Sequence, residues 1–249
     1  FCFEEFADRV AELVEKHVNI NRLLELTKPV ATAVVPISAG RHIYKREPSF
    51  PIAVACDPAF NFVYEANIRY LHHLGEVTYF SPLADTSLPD VGFVYLPGGY
   101  PELYLAALSA NRQMLQSIRR YVESGGKLLA ECGGMMYLCD EIRDKNGDVY
   151  PMAGVLHQSA TMENMKLRLG YRTLLYNETR LKGHEFHYSR LVEQQNPLPS
   201  CAVAYTAKGV ETDTPLYHYK NVWAGYTHLY WADPVGNEWF TKFVIDGNT

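Results

Sequence analysis

Residues Lys127 to Leu138 read KLLAECGGMMYL, an apolar run that ends on Glu131 and Cys132 and is followed at once by two glycines. The run predicts a short buried strand over Lys127 to Ala130, and the following residues predict a helix over Met135 to Ile142. Cys132 then sits on the turn between them. That is the layout of a nucleophile elbow, in which a sharp turn lifts one side chain above a sheet edge and glycines leave room for substrate and neighbouring strands. The helix N-terminus next to the sulfur is expected to favour thiolate over thiol. Taken alone, a cysteine at a strand end is more often a packed, inert thiol.

Upstream, Leu96 to Glu102 read LPGGYPE, again at the end of a predicted strand, Val91 to Leu96. In a parallel sheet the C-terminal ends of strands gather on one edge, which would set Gly98 and Gly99 beside Cys132. Glycines there expose backbone N–H groups, and two such donors aimed at one point make an oxyanion hole. The plainer reading is a tight turn closed by Pro101 at the start of a helix. The two readings are compatible.

The same alternation of short apolar runs and longer amphipathic ones extends from Pro51, with strands predicted at Ile52 to Ala55 and Val77 to Phe80 and helices at Asn61 to Leu74 and Pro101 to Glu123. This is the pattern of an α/β domain with a mostly parallel sheet flanked by helices. Beyond Pro151, Thr and Tyr become frequent and long helical patterns stop, so antiparallel strands are expected until a last helix near Asn237 to Ile245. Ahead of Pro51, Phe3, Phe6, Val10, Leu13 and Val14 recur at helical spacing, and a second short helix is expected near Arg22 to Leu26. Lys28 to Ser49 is broken by Pro29, Pro36, Gly40 and Pro48 and reads as a basic connector. A chain that opens inside a helix without Met reads as a piece whose N-terminal portion is missing.

The chain has 249 residues, 47% of them hydrophobic, which suffices for one large core. A formal net charge of −5 gives no broad attraction to nucleic acid or to an anionic membrane. With no apolar run of about 18 residues and no signal-peptide pattern, a cytoplasmic protein is the expectation. Five scattered cysteines without CxxC spacing suggest neither disulfides nor a zinc site.

A cysteine nucleophile needs a partner that takes and returns its proton. Of nine histidines, His228 in the aromatic, strand-like run VWAGYTHLYW is the best candidate, although by sequence alone such a residue is more often a satisfied core histidine. His184 and His187, in GHEFHYS, are three apart. On a strand that spacing points them to opposite faces, so no shared metal is expected. One of them, with Glu185 or Tyr188, is a candidate for contact with a substrate or partner.

The motifs CDPAFNFVYEAN, SPLAD, LPGGYPELY, AECGGMMYL, MAGVL, RLGYR, GHEFHYS and GYTHLYW occur in this order from Cys56 to Trp231. In that combination, from Pro51 to the end, the sequence resembles the C-terminal glutamine amidotransferase domain of the cobyrinic acid a,c-diamide synthases of cobalamin biosynthesis. Phe1 to Ser49 resembles the tail of the preceding ATP-binding synthetase domain and its connector. The resemblance implies a class I amidotransferase-like, flavodoxin-like fold, with Cys132 as nucleophile, His228 as its activating base and oxyanion donors near Gly99 and Gly133. It implies glutamine as ammonia source and a tetrapyrrole whose a and c acetates are amidated, with ATP and Mg²⁺ used on the missing N-terminal domain and no cofactor on this part.

Two positions depart from that pattern. Many class I amidotransferases place a glutamate two residues beyond the histidine, and here that residue is Tyr230. A Cys–His dyad is therefore expected, with the histidine oriented by some other group. Cys56 stands where a basic residue is expected before Asp57, which weakens the case for substrate contact there. Glu185, His187 and Tyr188 are the expected contacts to the macrocycle or to the missing ATP-binding domain. Ni-sirohydrochlorin a,c-diamide synthases share these motifs, and a non-catalytic lid of the same fold is a further alternative. The oligomeric state is left open, a homodimer included.

Overall fold

The computed structural model describes residues 3–27 and 50–246. The chain divides into two units, residues 1–45 and 46–249. In the first, α1 (Phe3–His17) and α2 (Ile20–Leu26) form as the spacing predicts. Acidic Glu4 and Glu5 open α1 and Lys16 and His17 close it, matching the helix dipole. The Asn19 side chain caps α2 by accepting the Arg22 N–H. The connector expected over Lys28 to Ser49 lies outside the described residues.

The second unit begins with β1 (Pro51–Ala55), α3 (Glu65–Leu74), β2 (Glu76–Phe80) and β3 (Phe93–Leu96). It continues through α4 (Leu105–Ala110), α5 (Arg112–Glu123), β4 (Lys127–Glu131) and α6 (Gly133–Leu138). Short strands β5 (Glu141–Arg143), β6 (Val149–Pro151) and β7 (Ser159–Thr161) precede a long hairpin, β8 (Arg168–Tyr176) and β9 (Thr179–His187). Then come β10 (Arg190–Leu191), β11 (Val203–Thr206), β12 (Glu211–Thr212), β13 (Leu216–Tyr219), β14 (Val222–Gly225), β15 (His228–Leu229) and α7 (Pro234–Thr241).

The central sheet has the order β13-β14-β4-β3-β1-β2. All its pairs are parallel except β13 with β14 at the edge. Its five parallel strands follow the doubly wound order in which chain direction across the sheet reverses beside the first strand. Successive residues point to opposite faces, and both faces are covered. Ile52, Val54, Phe93, Tyr95 and Leu129 pack with Leu71, Trp239 and Phe240 on one side. Ala53, Ala55, Val94, Leu96, Leu128 and Ala130 pack with Leu108, Ile118 and Val122 on the other.

A second, antiparallel sheet runs β12-β11-β8-β9-β15. It holds the key topological step: the chain leaves the central sheet at Gly225 and, three residues later, joins the β9 edge, with His228 opposite His184. Among the described residues no helix is long and apolar enough to cross a membrane.

Several expected helices are shorter than their sequence patterns suggest. The one expected from Asn61 begins at Glu65, because Phe62 is held by its N–H donating to the Gly98 carbonyl at 3.0 Å. The one expected over Pro101 to Glu123 breaks at Asn111, whose side chain caps α5 and also donates to the carbonyls of Pro82 and Asp85. The one expected to reach Ile142 stops at Leu138, since Ile142 is drawn into β5 beside β6 and β7. The last begins earlier than expected, at Pro234, capped by Asp233.

Candidate active site

The elbow forms as the glycines require. Cys132 adopts φ 48° and ψ −106°, a left-handed conformation that costs a non-glycine residue on the order of 1–3 kcal/mol and persists only where surroundings impose it. Here the Cys132 N–H donates to the Gly225 carbonyl at 2.7 Å, and the Cys132 carbonyl accepts from Met136 at 3.0 Å. The sulfur is thus held between the ends of β4 and β14 at the start of α6.

The LPGGYPE loop meets it. Gly99 has φ 155°, and a Cβ there would lie 2.1 Å from the Ala59 carbonyl oxygen. A Cβ on Gly133 would lie 3.2 Å from the Gly99 nitrogen. The two backbones expected to supply oxyanion donors are therefore neighbours. The Gly133 N–H belongs to the first turn of α6, where no intrahelical acceptor exists. Asp57 stiffens the loop that backs this turn: one carboxylate oxygen accepts from the Ala59 and Phe60 N–H groups, the other from Ser81 and Leu83. Cys56 beside it is exposed.

His228 shares a cavity with Cys132, Gly99, Phe62, Tyr100 and Phe186. Its ring packs on Phe62 with centroids 4.3 Å apart. The volume beside the sulfur is only about 20 Å³ in each of two adjoining recesses, room for about one water in each. Admitting an amino-acid side chain therefore requires Tyr100, Phe186 or Tyr188 to give way. A larger cavity of about 360 Å³ lies beyond His187 and Ser189, which line both spaces.

The electrostatics differ from the thiolate expected at a helix start. Burial pushes the Cys132 thiol up to about 12, and the nearby Glu102 adds to that against the favourable Gly133 N–H. With six residues, α6 is too short and too deeply buried for its dipole to win. Burial likewise lowers His228 to about 3, helped by His184 and His187. The resting pair is a neutral thiol beside a neutral imidazole. Glu131, directly before the nucleophile, is raised to about 8 by burial, against hydrogen bonds from Tyr95 and Leu229 and the nearby Trp231 indole. Its Oε2 lies 3.9 Å from His228 Nδ1.

The GHEFHYS residues divide. Glu185, expected to contact a macrocycle or partner domain, is only 1% exposed and lines the larger cavity. It pairs with Arg172 and accepts from Thr214 at 2.8 Å, because a carboxylate this deep must be compensated. Burial would raise its pKa, but the nearby His187, the hydrogen bond from Thr214 and the Arg172 charge bring it below the ordinary value. His187 stacks on Tyr226 at 3.8 Å and walls the nucleophile cavity. Tyr188 is half-exposed at the same cavity. His184 sits on the opposite face of β9, as the strand alternation predicts, with its ring 6.4 Å from that of His228. No cluster of three or more metal-ligating side chains occurs among the described residues.

Sequence reasoning missed Glu131, Glu102, Phe62 and Phe186. Only Glu131 left a signal, a carboxylate at the end of an otherwise apolar buried strand. Cys139, expected in the helix, is the C-cap of α6, fully buried and bonded to the Met135 carbonyl.

Residues 51–235 match the model of the CobB/CobQ-like glutamine amidotransferase domain, about three quarters of the chain. The chain is 37% identical over 235 residues to the hydrogenobyrinate a,c-diamide synthase of Pseudomonas aeruginosa, covering 91% of this chain and 52% of that protein. It is 35% identical to the cobyrinate a,c-diamide synthase of Clostridium acetobutylicum, covering 97% and 54%. The chain thus spans about half the length of the curated relatives it matches. PurLQS from Thermotoga maritima shares the fold at TM-score 0.51 and 19% identity, over 72% of this chain and 87% of that one. A crystal structure of a glutamine amidotransferase does so at TM-score 0.51 and 17% identity, over 78% and 98%. The chain belongs to the family of CobB/CobQ-like glutamine amidotransferase domains.

Proposed function

We propose that this chain is the ammonia-producing part of an ATP-dependent a,c-diamide synthase acting on a cobyrinic acid-type tetrapyrrole. The observation that carries the reading is the meeting, at one sheet edge, of Cys132 on its strained elbow, the Gly99 and Gly133 backbones, and His228. His228 takes the Cys132 proton as the sulfur attacks the glutamine carboxamide carbon. The two glycine N–H groups hold the oxyanion, and the imidazolium gives its proton to the departing amide nitrogen, releasing ammonia. Water then attacks the glutamyl thioester, His228 accepts its proton, and glutamate leaves with the thiol restored.

Residues before Pro51 are, on this reading, the tail of an ATP-binding portion that uses Mg²⁺ and ATP to activate the ring acetates. The curated relatives carry both the hydrogenobyrinate and the cobyrinate name, so the a,c-diamide pattern is the shared element. Supplied with that ATP-binding portion, ATP, Mg²⁺ and cobyrinic acid, the Cys132→Ser variant should lose amidation from glutamine and keep amidation from added ammonia. Equal use of glutamine by Cys132→Ser and parent would refute the reading.

A further inference from the structure

Tyr230 stands where a histidine-orienting glutamate is expected, yet His228 is not without a carboxylate. Glu131 reaches it from the central sheet, on the face that carries Tyr95 and Trp231. Glu131 and His228 are 2% and 3% exposed. Glu131 Oε2 accepts from the Tyr95 hydroxyl at 2.7 Å, and Oε1 accepts from the Leu229 N–H at 3.1 Å. The carboxylate thus grips the backbone directly after His228 while Oε2 lies 3.9 Å from Nδ1. That Nδ1 is a buried ring nitrogen with no hydrogen-bond partner among the described residues.

We propose that Glu131 is the positioning residue of His228: as a carboxylate it accepts a hydrogen bond from Nδ1–H and so keeps Nε2 unprotonated, ready for the Cys132 proton. The role rests on the glutaminase reading of Cys132 and His228. At 3.9 Å the contact is longer than a hydrogen bond and has to close by about 1 Å. Contacts of this kind are commonly long in free enzymes and tighten with substrate bound. Once His228 is protonated, the opposite charges attract strongly in a site closed to water. A carboxylate that only plugged the backbone would serve as well as an amide of the same shape. One that sets a tautomer would not.

The groups facing Glu131 are Tyr95 from β3, Tyr64 ahead of α3, Trp231 beyond β15, and His228 and Cys132 themselves. Both tyrosines are held neutral, Tyr64 at about 12 and Tyr95 well above its ordinary value, so at pH 9 Glu131 is the group that has ionised. The test is the ring ¹⁵N spectrum of His228 in the full chain at pH 9, assigned by its loss in His228→Asn, together with glutaminase kinetics. The parent should show protonated Nδ1 and bare Nε2. In Glu131→Gln the amide donates to Nδ1, so the tautomer should reverse and kcat fall by about 10³–10⁴-fold with KM within threefold. Glu131→Asp, which keeps the charge, should recover part of both. A bare Nδ1 in the active parent at pH 9, or a Glu131→Gln variant with unchanged tautomer and kcat, would overturn the positioning role. A parent with protonated Nδ1 and no glutamine turnover would overturn the glutaminase reading beneath it, which is a different result.

Discussion

Gly98 and His228 stand so close that a Cβ on the glycine would lie 2.2 Å from the imidazole Cε1. The ring is pinned between this bare backbone and Phe62, so its direction toward Cys132 depends on a missing side chain. Gly98→Ala should displace the imidazole while leaving β3 and β4 paired. A misplacement of about 1 Å at a reacting group costs on the order of 10²-fold, so kcat for glutamine hydrolysis should fall by at least that much. Steady-state kinetics with circular dichroism on the same sample would check it, and full activity in Gly98→Ala would contradict the pinning.

Because burial holds the Cys132 thiol neutral, its reactivity should depend on who asks. A small neutral reagent such as iodoacetamide, which needs a standing thiolate, should modify exposed Cys56 well before Cys132 at pH 7. Peptide mapping over time would show the order. Prompt carbamidomethylation of Cys132 would mean that the helix start outweighs burial after all.

Glu185 and Arg172 form a buried ion pair, and removing one partner strands the other. Arg172→Met should cost about 3–5 kcal/mol of unfolding free energy at pH 7. The sign with pH follows from the lowered carboxyl: its contribution is present above the unfolded value near 4.3 and is lost as pH falls through the folded one. Urea titrations of parent and Glu185→Gln should therefore converge as pH drops below about 4.3. A gap that stays constant down to pH 3 would place the stabilisation elsewhere.

Much of the central sheet was legible because its strands are short apolar runs in βα order and their alternation is buried on both faces. The elbow was legible for the same reason, since two glycines after Cys132 have few other uses. What the sequence could not disclose was set by contacts between distant segments. Phe62 is held out of its helix by Gly98, and Glu185 is drawn inward by Arg172 from the neighbouring strand. The charge state of Cys132 escaped too, because burial depends on the whole pocket and the helix beside it is only local. Glu131 was passed over although it touches the nucleophile in sequence, since its meaning comes from Leu229 and His228 about a hundred residues away.

The central claim is that Cys132 is a nucleophile addressed by glutamine. A glutamine analogue bearing a diazo-ketone, followed by peptide mass spectrometry, tests it directly. One label is expected, on Cys132, competed away by glutamine, absent in Cys132→Ser and slowed by about 10²-fold or more in His228→Ala. Label spread over Cys56 and Cys201, indifferent to glutamine and to His228, would contradict it.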